Sequence, residues 1–494
     1  MIDQTDDTLL KILKFDPTSP LLFNTGLFLI LFFGFLVIYS ILRRTQSLKM
    51  VFVILFSLYF YYKSSAEYCF ILLGVCLFDY VLGSTLGNTT KQWVRKLLVA
   101  INVIVNVGML VYFKYFNLLF EAFANITSTR FDPLDIILPA GISFFTFRSI
   151  SYIVDIYRRE IEPCQSFLQY TFFLTFFPPL LAGPVVRAKD LLPQIKENPV
   201  ADRWMTGGGF FLIICGLVKK VVIADYISGN FVDRIFDNPS LYTGFENLMG
   251  VYGFTLQLYC DFSGYSDMAI GIALLLGFRF KDNFDSPFKS QSPTEFWHRW
   301  HISLSTWLRD YLYIPLGGSR TRTKIQSHAN LVTTMALGGL WHGASWMYVI
   351  WGFWNGFLLV LHKIYIKIFK IKKDDKPSKI RRIINIFITF NLMAFGFMFF
   401  RSDSMEKVEQ MTHQILHDFH PEVVPQFLDG YFLIVVAIII GFVLHFSPKH
   451  WTEKLKHSFS ASPLIIQAII LAIAIFLIIQ VRQSEIVPFI YLQY

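Results

Sequence analysis

The chain has 494 residues, 54% of them hydrophobic and only 16% charged, with a formal net charge of +9. That apolar excess excludes an ordinary soluble enzyme, because runs of about 20 apolar residues suffice to cross a hydrocarbon core of ~30 Å. The positive charge does not indicate nucleic-acid binding, since it sits in short loops between apolar runs, as membrane orientation requires.

The opening segment, MIDQTDDTLLKILKFDPTSP, is acidic at its start and too long for the basic n-region of a cleaved signal. It reads as an extracytoplasmic tail or interfacial helix before a retained anchor. Apolar runs follow at 21–42, 50–62, 67–83 and 97–113. Basic residues fall in alternate loops: Arg43, Arg44 and Lys49, then Lys91, Arg95 and Lys96, then Arg158 and Arg159. This places the N-terminus outside. Further runs lie at 134–153, 167–182, 208–224, 246–259, 268–278, 331–361, 383–400, 430–447 and 463–481, the sixth of these long enough for a hairpin. In all, roughly 10–13 crossings are expected. Only helices and closed barrels satisfy their backbones in lipid, so the fold class is an all-α polytopic membrane protein.

The chain reads as one integral membrane domain in three blocks: regular helices over 1–130, an irregular core over 131–362, and regular helices with a tail over 383–494. Irregular backbone at membrane depth is tolerated where protein buries it or it lines a cavity, so the middle block is the place to look for chemistry. FFPPLLAGPVVR (176–187) carries Pro178, Pro179 and Pro184 and predicts a broken or re-entrant segment. In QLYCDFSGYSDMAIGIALLLGF (257–278), Gln257 and Asp261 share a helix face, with Asp267 beyond Gly264. Carboxylates in the membrane either cross-link helices or handle substrate, and both readings stay open here.

SPTEFWHRWHISLSTWLRDYLYIPLGGSR (292–320) opens with a capping box, Ser292 and Glu295, and Pro293 at the first helical position. Trp297, Trp300, Leu304, Trp307, Leu308 and Tyr311 recur at helical spacing, which predicts an amphipathic helix starting in the cytoplasmic interface. His301 shares its inward stripe; His298 is offset toward Arg309. In LGGLWHGASWMYVIWGFWNG (337–356), His342 is the only ionisable side chain besides Tyr348. Either histidine alone is more simply a packed core residue. Two of them in the irregular block, among Trp and Gly, point to proton transfer by neutral imidazoles, since desolvation disfavours the charged ring. A metal site is not expected, because no third ligand has suitable spacing. The five cysteines, Cys69, Cys76, Cys164, Cys215 and Cys260, show no disulfide or metal spacing.

Lys363 to Arg382, KIYIKIFKIKKDDKPSKIRR, is the strongest basic cluster and belongs on the cytoplasmic side. It is a positive-inside anchor, or it attracts anionic lipid, donor phosphates or a carrier protein. Lys449, Lys454 and Lys456 precede the last run, so the C-terminus is also expected outside.

FWHRWHISLSTWLRDYLYIPLGG followed by GGLWHGASW resembles the membrane-bound O-acyltransferase superfamily, and within it the bacterial polysaccharide O-acetylation proteins of the alginate type. LPAGISFFTFRSISYIVDIYRRE (138–160), FFPPLLAGPVVR and LQLYCDFSGYSDMAIG carry the resemblance over nearly the whole chain. It implies a ring of tilted helices around a thin central funnel, with His342 the principal catalytic histidine and His301 the second. Trp341, Trp297, Asp261 and Gln257 are the candidate substrate contacts. The resemblance further implies an acyl thioester donor in the cytoplasm, acetyl-coenzyme A or an acyl carrier protein, and no bound cofactor. The implied partner is an extracytoplasmic acetyltransferase of the SGNH-hydrolase fold. This chain has His298 where Arg is common in relatives. The ending PFIYLQY resembles the family's F-I-Y-x-x-F tail with Tyr494 for the last Phe, and implies that Tyr491 accepts the acyl group; as residues alone, the tail is an aromatic interface anchor. The rival function is a transporter or polysaccharide-export channel without chemistry, which broken helices and buried carboxylates also suit. It lacks visible inverted repeats and leaves the paired histidines unexplained.

Overall fold

The computed structural model describes residues 14–16, 20–371, 377–481 and 489. It is 78% helical, with no strand among the described residues. Five helical stretches among them are long and apolar enough to cross a bilayer: Gly26–Arg44, Gln46–Asn88, Gln92–Thr127, Trp346–Ile368 and Lys379–Arg401. Pro421–Gly430 and Phe432–Phe446 form a sixth candidate, bent by 96°. The chain is thus an all-α polytopic membrane protein. The other expected crossings fall on helices that are shorter, interrupted or polar. The chain divides into two compact units: residues up to Ile213 with Met268–Phe280, and Ile214–Asp267 with the chain from Lys281 onward.

In the first unit, α1 (Gly26–Ile41), α2 (Gln46–Ser65), α3 (Cys69–Asn88) and α4 (Gln92–Leu110) follow the four leading apolar runs, and a π-helical turn leads from α4 into α5 (Phe116–Thr127). Then come α6 (Ile142–Tyr157) and α7 (Phe167–Thr175). Four of these helices meet at one carboxylate. Asp79 of α3, fully buried, accepts hydrogen bonds from Asn102 of α4 (2.9 Å), Ser149 of α6 (2.8 Å) and Tyr170 of α7 (2.7 Å). A buried charge away from water needs such partners, and here they tie three helices to a fourth. Arg95 closes helix ends in the same unit, donating to the carbonyls of Leu86 on α3 and of Ile156 and Tyr157 on α6.

Beyond α7, FFPPLLAGPVVR runs as irregular, buried backbone to α8 (Ala188–Glu197), as its prolines require. Phe177 anchors it among Phe32, Phe35, Phe56 and Phe60, with ring centroids 5.1–6.2 Å away. Side chains of the first unit thus shield a stretch of chain that could not face lipid.

The runs 246–259 and 268–278 are a single 32-residue helix, α10 (Gly244–Leu275), which follows α9 (Arg203–Leu217). Gly264 does not divide it. A Cβ there would lie 2.8 Å from the carbonyl oxygen of Gly216, so Gly264 marks the close approach of α10 to α9. The long run 331–361 is the hairpin its length allowed: α13 (Lys324–His342) and α14 (Trp346–Ile368) are joined by three residues, with α11 (Pro293–Arg299) and α12 (Ile302–Leu308) earlier in the same unit. The hairpin closes on glycine: a Cβ on Gly352 would collide with the carbonyl oxygen of Met335 on the facing helix. Next comes α15 (Lys379–Arg401), to whose Leu392 carbonyl Trp354 of α14 donates at 3.0 Å.

Gly352→Val should therefore lower the melting temperature in detergent, overpacking costing ~1–3 kcal/mol. Gly74→Ala on α3, where nothing lies within 4 Å, should leave it unchanged or slightly raised. Equal melting of both variants would contradict the tight hairpin.

Candidate active site

Ser292 caps α11 as its sequence implied, accepting from the Glu295 N–H at 3.2 Å, while the Glu295 carboxylate returns to the N–H of Gln291 at 2.9 Å. The expected continuous amphipathic helix does not form. It breaks after Arg299, and His301 takes left-handed backbone angles, φ +41° and ψ +56°. The break is made by residues 283–285, which lie alongside: the Asp285 N–H donates to Arg299 O at 2.9 Å and the Ile302 N–H to Asn283 O at 2.8 Å. The left-handed conformation is unfavourable for a non-glycine residue, and strained positions of this kind cluster at functional sites.

The Asn283 side chain then sets the state of the His301 ring. Its Oδ1 accepts from the Ser303 N–H at 3.2 Å and the Ser303 hydroxyl at 2.8 Å. A backbone N–H can only donate, so the atom facing it is the amide oxygen. That oxygen lies 3.1 Å from His301 Nδ1. Nδ1 therefore carries the ring proton and Nε2 the lone pair. The Asn283 amide nitrogen donates to Ser266 on α10 at 3.0 Å, which holds the amide in place. His301 is fully buried, and burial pushes its pKa down to about 3, so the ring is neutral. Phe262 packs edge-on to it at 4.5 Å.

His342 is the last residue of α13, at the tip of the hairpin. It is 5% exposed, with Trp351 edge-on at 5.0 Å and Phe400 at 5.3 Å. Trp341 touches both histidines, its ring 4.9 Å from His342 and 6.2 Å from His301. The two imidazoles thus lie within about 11 Å of each other, both in contact with one indole. Trp297 joins the group through Trp351, 5.8 Å away. Two of the expected contacts and both histidines are therefore linked by ring contacts within one unit, Trp341 directly and Trp297 through Trp351, and Phe262 of α10 joins them at His301.

Asp261 and Gln257 pair with polar groups of the segment between α9 and α10. Asp261 accepts from Lys220 Nζ at 2.5 Å, and Lys220 also pairs with Asp225 at 2.7 Å. Gln257 donates to Ser228 at 2.8 Å. Asp267 pairs with Lys219 at 2.7 Å. These carboxylates cross-link helices, one of the two readings their positions allowed. The cue in the sequence was Lys219 and Lys220 inside an apolar run, which demand carboxylates. His298 is exposed, in keeping with its offset. Among the described residues no three His, Cys, Asp or Glu side chains converge as a metal site. Tyr491 lies outside the described residues, but Phe489, two positions earlier, is 1% exposed, with its ring 4.1 Å from Tyr265 and 4.8 Å from Lys220 Nζ. Asn283 was not found by sequence reasoning, since it stands in no pattern that marks it; Phe489 is the first residue of the tail motif, though sequence reasoning assigned it no role.

Residues 164–401 match the membrane-bound O-acyltransferase family. A Pseudomonas aeruginosa protein named "Probable alginate O-acetylase AlgI" is 40% identical over 79% of this chain and 74% of its own length. The chain belongs to the membrane-bound O-acyltransferase family. The peptidoglycan O-acetyltransferase of Helicobacter pylori is 36% identical over 78% of each chain. The teichoic acid D-alanyltransferase of Bacillus subtilis is 30% identical over 54% of this chain and 70% of its own. This membrane-bound O-acyltransferase accordingly transfers acyl groups to oxygen.

Asn283→Leu, which removes the acceptor shared by three donors, should free the His301 ring and lower acyl transfer about 10²-fold. Asn283→Asp keeps an acceptor oxygen and should retain more of the rate. A full rate in Asn283→Leu, measured with a radiolabelled acyl donor, would contradict the positioning role.

Proposed function

We propose that this O-acyltransferase takes an acetyl group from a cytoplasmic thioester and passes it through the bacterial cytoplasmic membrane for O-acetylation of an extracytoplasmic polysaccharide. The observation that carries the proposal is the pair of buried imidazoles flanking Trp341. The relatives named for alginate and peptidoglycan O-acetylation support acetyl as the group and a polymer as the final acceptor.

In the chemical step, His342 removes the proton from an attacking hydroxyl. The new C–O bond forms at the thioester carbonyl, the C–S bond breaks, and the proton passes to the departing thiolate. His301 has its Nδ1 proton engaged by Asn283, so its Nε2 can only accept. It therefore orients an N–H or O–H of substrate; it does not donate to the oxyanion. The donor is acetyl-coenzyme A or an acyl carrier protein thioester, and no bound cofactor is needed. The first acceptor is Tyr491 on the C-terminal tail. The burial of Phe489 supports a tail that turns back into protein. A phenol, pKa ~10, is a poorer leaving group than a thiol at ~8.5 and a better one than an aliphatic hydroxyl, so each transfer moves to a poorer leaving group. An extracytoplasmic acetyltransferase of the SGNH-hydrolase fold completes delivery, with both termini of this chain on its side of the membrane.

His342→Ala should abolish acetyl transfer from radiolabelled donor by purified protein, a general base being worth roughly 10²–10⁴-fold. Passage of polymer with no acetyl transfer by the unaltered protein would favour an export channel instead. Tyr491→Phe should leave folding intact and stop export of acetyl groups; full polymer acetylation in that variant rejects the relay.

A further inference from the structure

The second unit carries a large open cleft lined by neither His301 nor His342, and nothing in the acyl-transfer reading uses it. It has a volume of about 1040 Å³ and lies between the start of α11, the second half of α14 and the first half of α15. Its long side is apolar. Leu361, Tyr365 and Ile366 of α14 and Ile388 of α15 line it, and all four are exposed. Polar and basic side chains also line it, His298 and His362 where α11 meets α14, and Arg381 at the start of α15. Thr294 and His362 Nδ1 are hydrogen-bonded at 2.7 Å, so α11 and α14 are stitched together there.

The charge around this mouth is one-sided. Glu295 is the one carboxylate among the lining residues, and Arg299 already neutralises it at 3.0 Å. In the sequence, the stretch from Lys363 in α14 to Arg382 in α15 holds nine basic residues against two acidic ones. Among the described residues, no carboxylate lies within ion-pairing distance of Arg381. An apolar trough with Arg381 in its lining, in a stretch of sequence rich in basic residues, matches an amphiphile with acyl chains and an anionic head. Basic clefts between membrane helices bind anionic lipid headgroups for this reason.

We infer that this cleft is a binding site for an anionic glycerophospholipid, whose acyl chain lies along Leu361, Ile366 and Ile388 and whose phosphate is held by Arg381. The acyl chain covers apolar side chains that water would otherwise meet at the interface. The phosphate fixes the first turn of α15 against α14. The inference depends on the membrane location of the chain and not on the acyl-transfer mechanism.

The test is native mass spectrometry of the full chain in a non-ionic detergent, titrated with phosphatidylglycerol or phosphatidylcholine. The unaltered protein should retain one phosphatidylglycerol at concentrations where phosphatidylcholine does not bind. Arg381→Glu should weaken phosphatidylglycerol at least about tenfold, since each basic residue near a headgroup is worth roughly fivefold and the reversal adds repulsion. Leu361→Trp, which fills the trough, should remove the bound lipid whatever its head. Unchanged phosphatidylglycerol binding in both variants would overturn the site. So would equal binding of the two lipids, or displacement of the bound lipid by acetyl-coenzyme A, which would make the cleft a path for the donor.

Discussion

The amide oxygen of Asn283 receives three donors, two from Ser303 and one from the ring of His301. Together with the backbone bonds from Asp285 to Arg299 and from Ile302 to Asn283, this small convergence separates α11 from α12, holds His301 in left-handed backbone and leaves its Nε2 as the acceptor. Without it, the run from Ser292 to Tyr313 has the composition of one continuous helix, and His301 would point along an ordinary helical stripe. The hydrogen bond from Asn283 to Ser266 carries the constraint onto α10. The hairpin completes the site from the other side, because its close glycine contact brings α13 and α14 together and sets His342 at the tip, beside Trp341.

The same rule governs the rest of the molecule: polar groups in a lipid-embedded protein must find partners within it. Asp79 gathers three helices around one carboxylate, and Lys220 gathers Asp225 and Asp261. Breaking such a pair leaves a buried charge uncompensated, which costs more than the pair itself contributes. These clusters hold the helices, while each histidine packs edge-on to aromatic rings.

Much of this was legible in the chain. The apolar runs implied an all-α membrane protein, the prolines of FFPPLLAGPVVR implied broken backbone, and the length of 331–361 allowed the hairpin. The capping box at Ser292 was readable because its signals are local. The break at His301 was not, since no Gly or Pro marks it and its cause lies some 18 residues upstream. Gly264 suggested an interruption but serves close helix packing, a distinction that depends on what faces it. Asp261 was ambiguous alone and resolved only with Lys220, about 41 residues away. The pairing of His301 with His342 was suggested by two histidines among Trp and Gly in the irregular block, while their ranking as principal and second rested on resemblance, because two rings on separate helices share no spacing in the sequence.

The most direct test of the two-histidine site is a structure of the purified protein with a dethia analogue of acetyl-coenzyme A, in which a methylene replaces the sulfur and the carbonyl cannot be released. A base at His342 with His301 as its accepting neighbour predicts the analogue's carbonyl beside Trp341, within reach of the His342 ring. An analogue bound elsewhere, with His342 still closed off by Trp351 and Phe400, would contradict it.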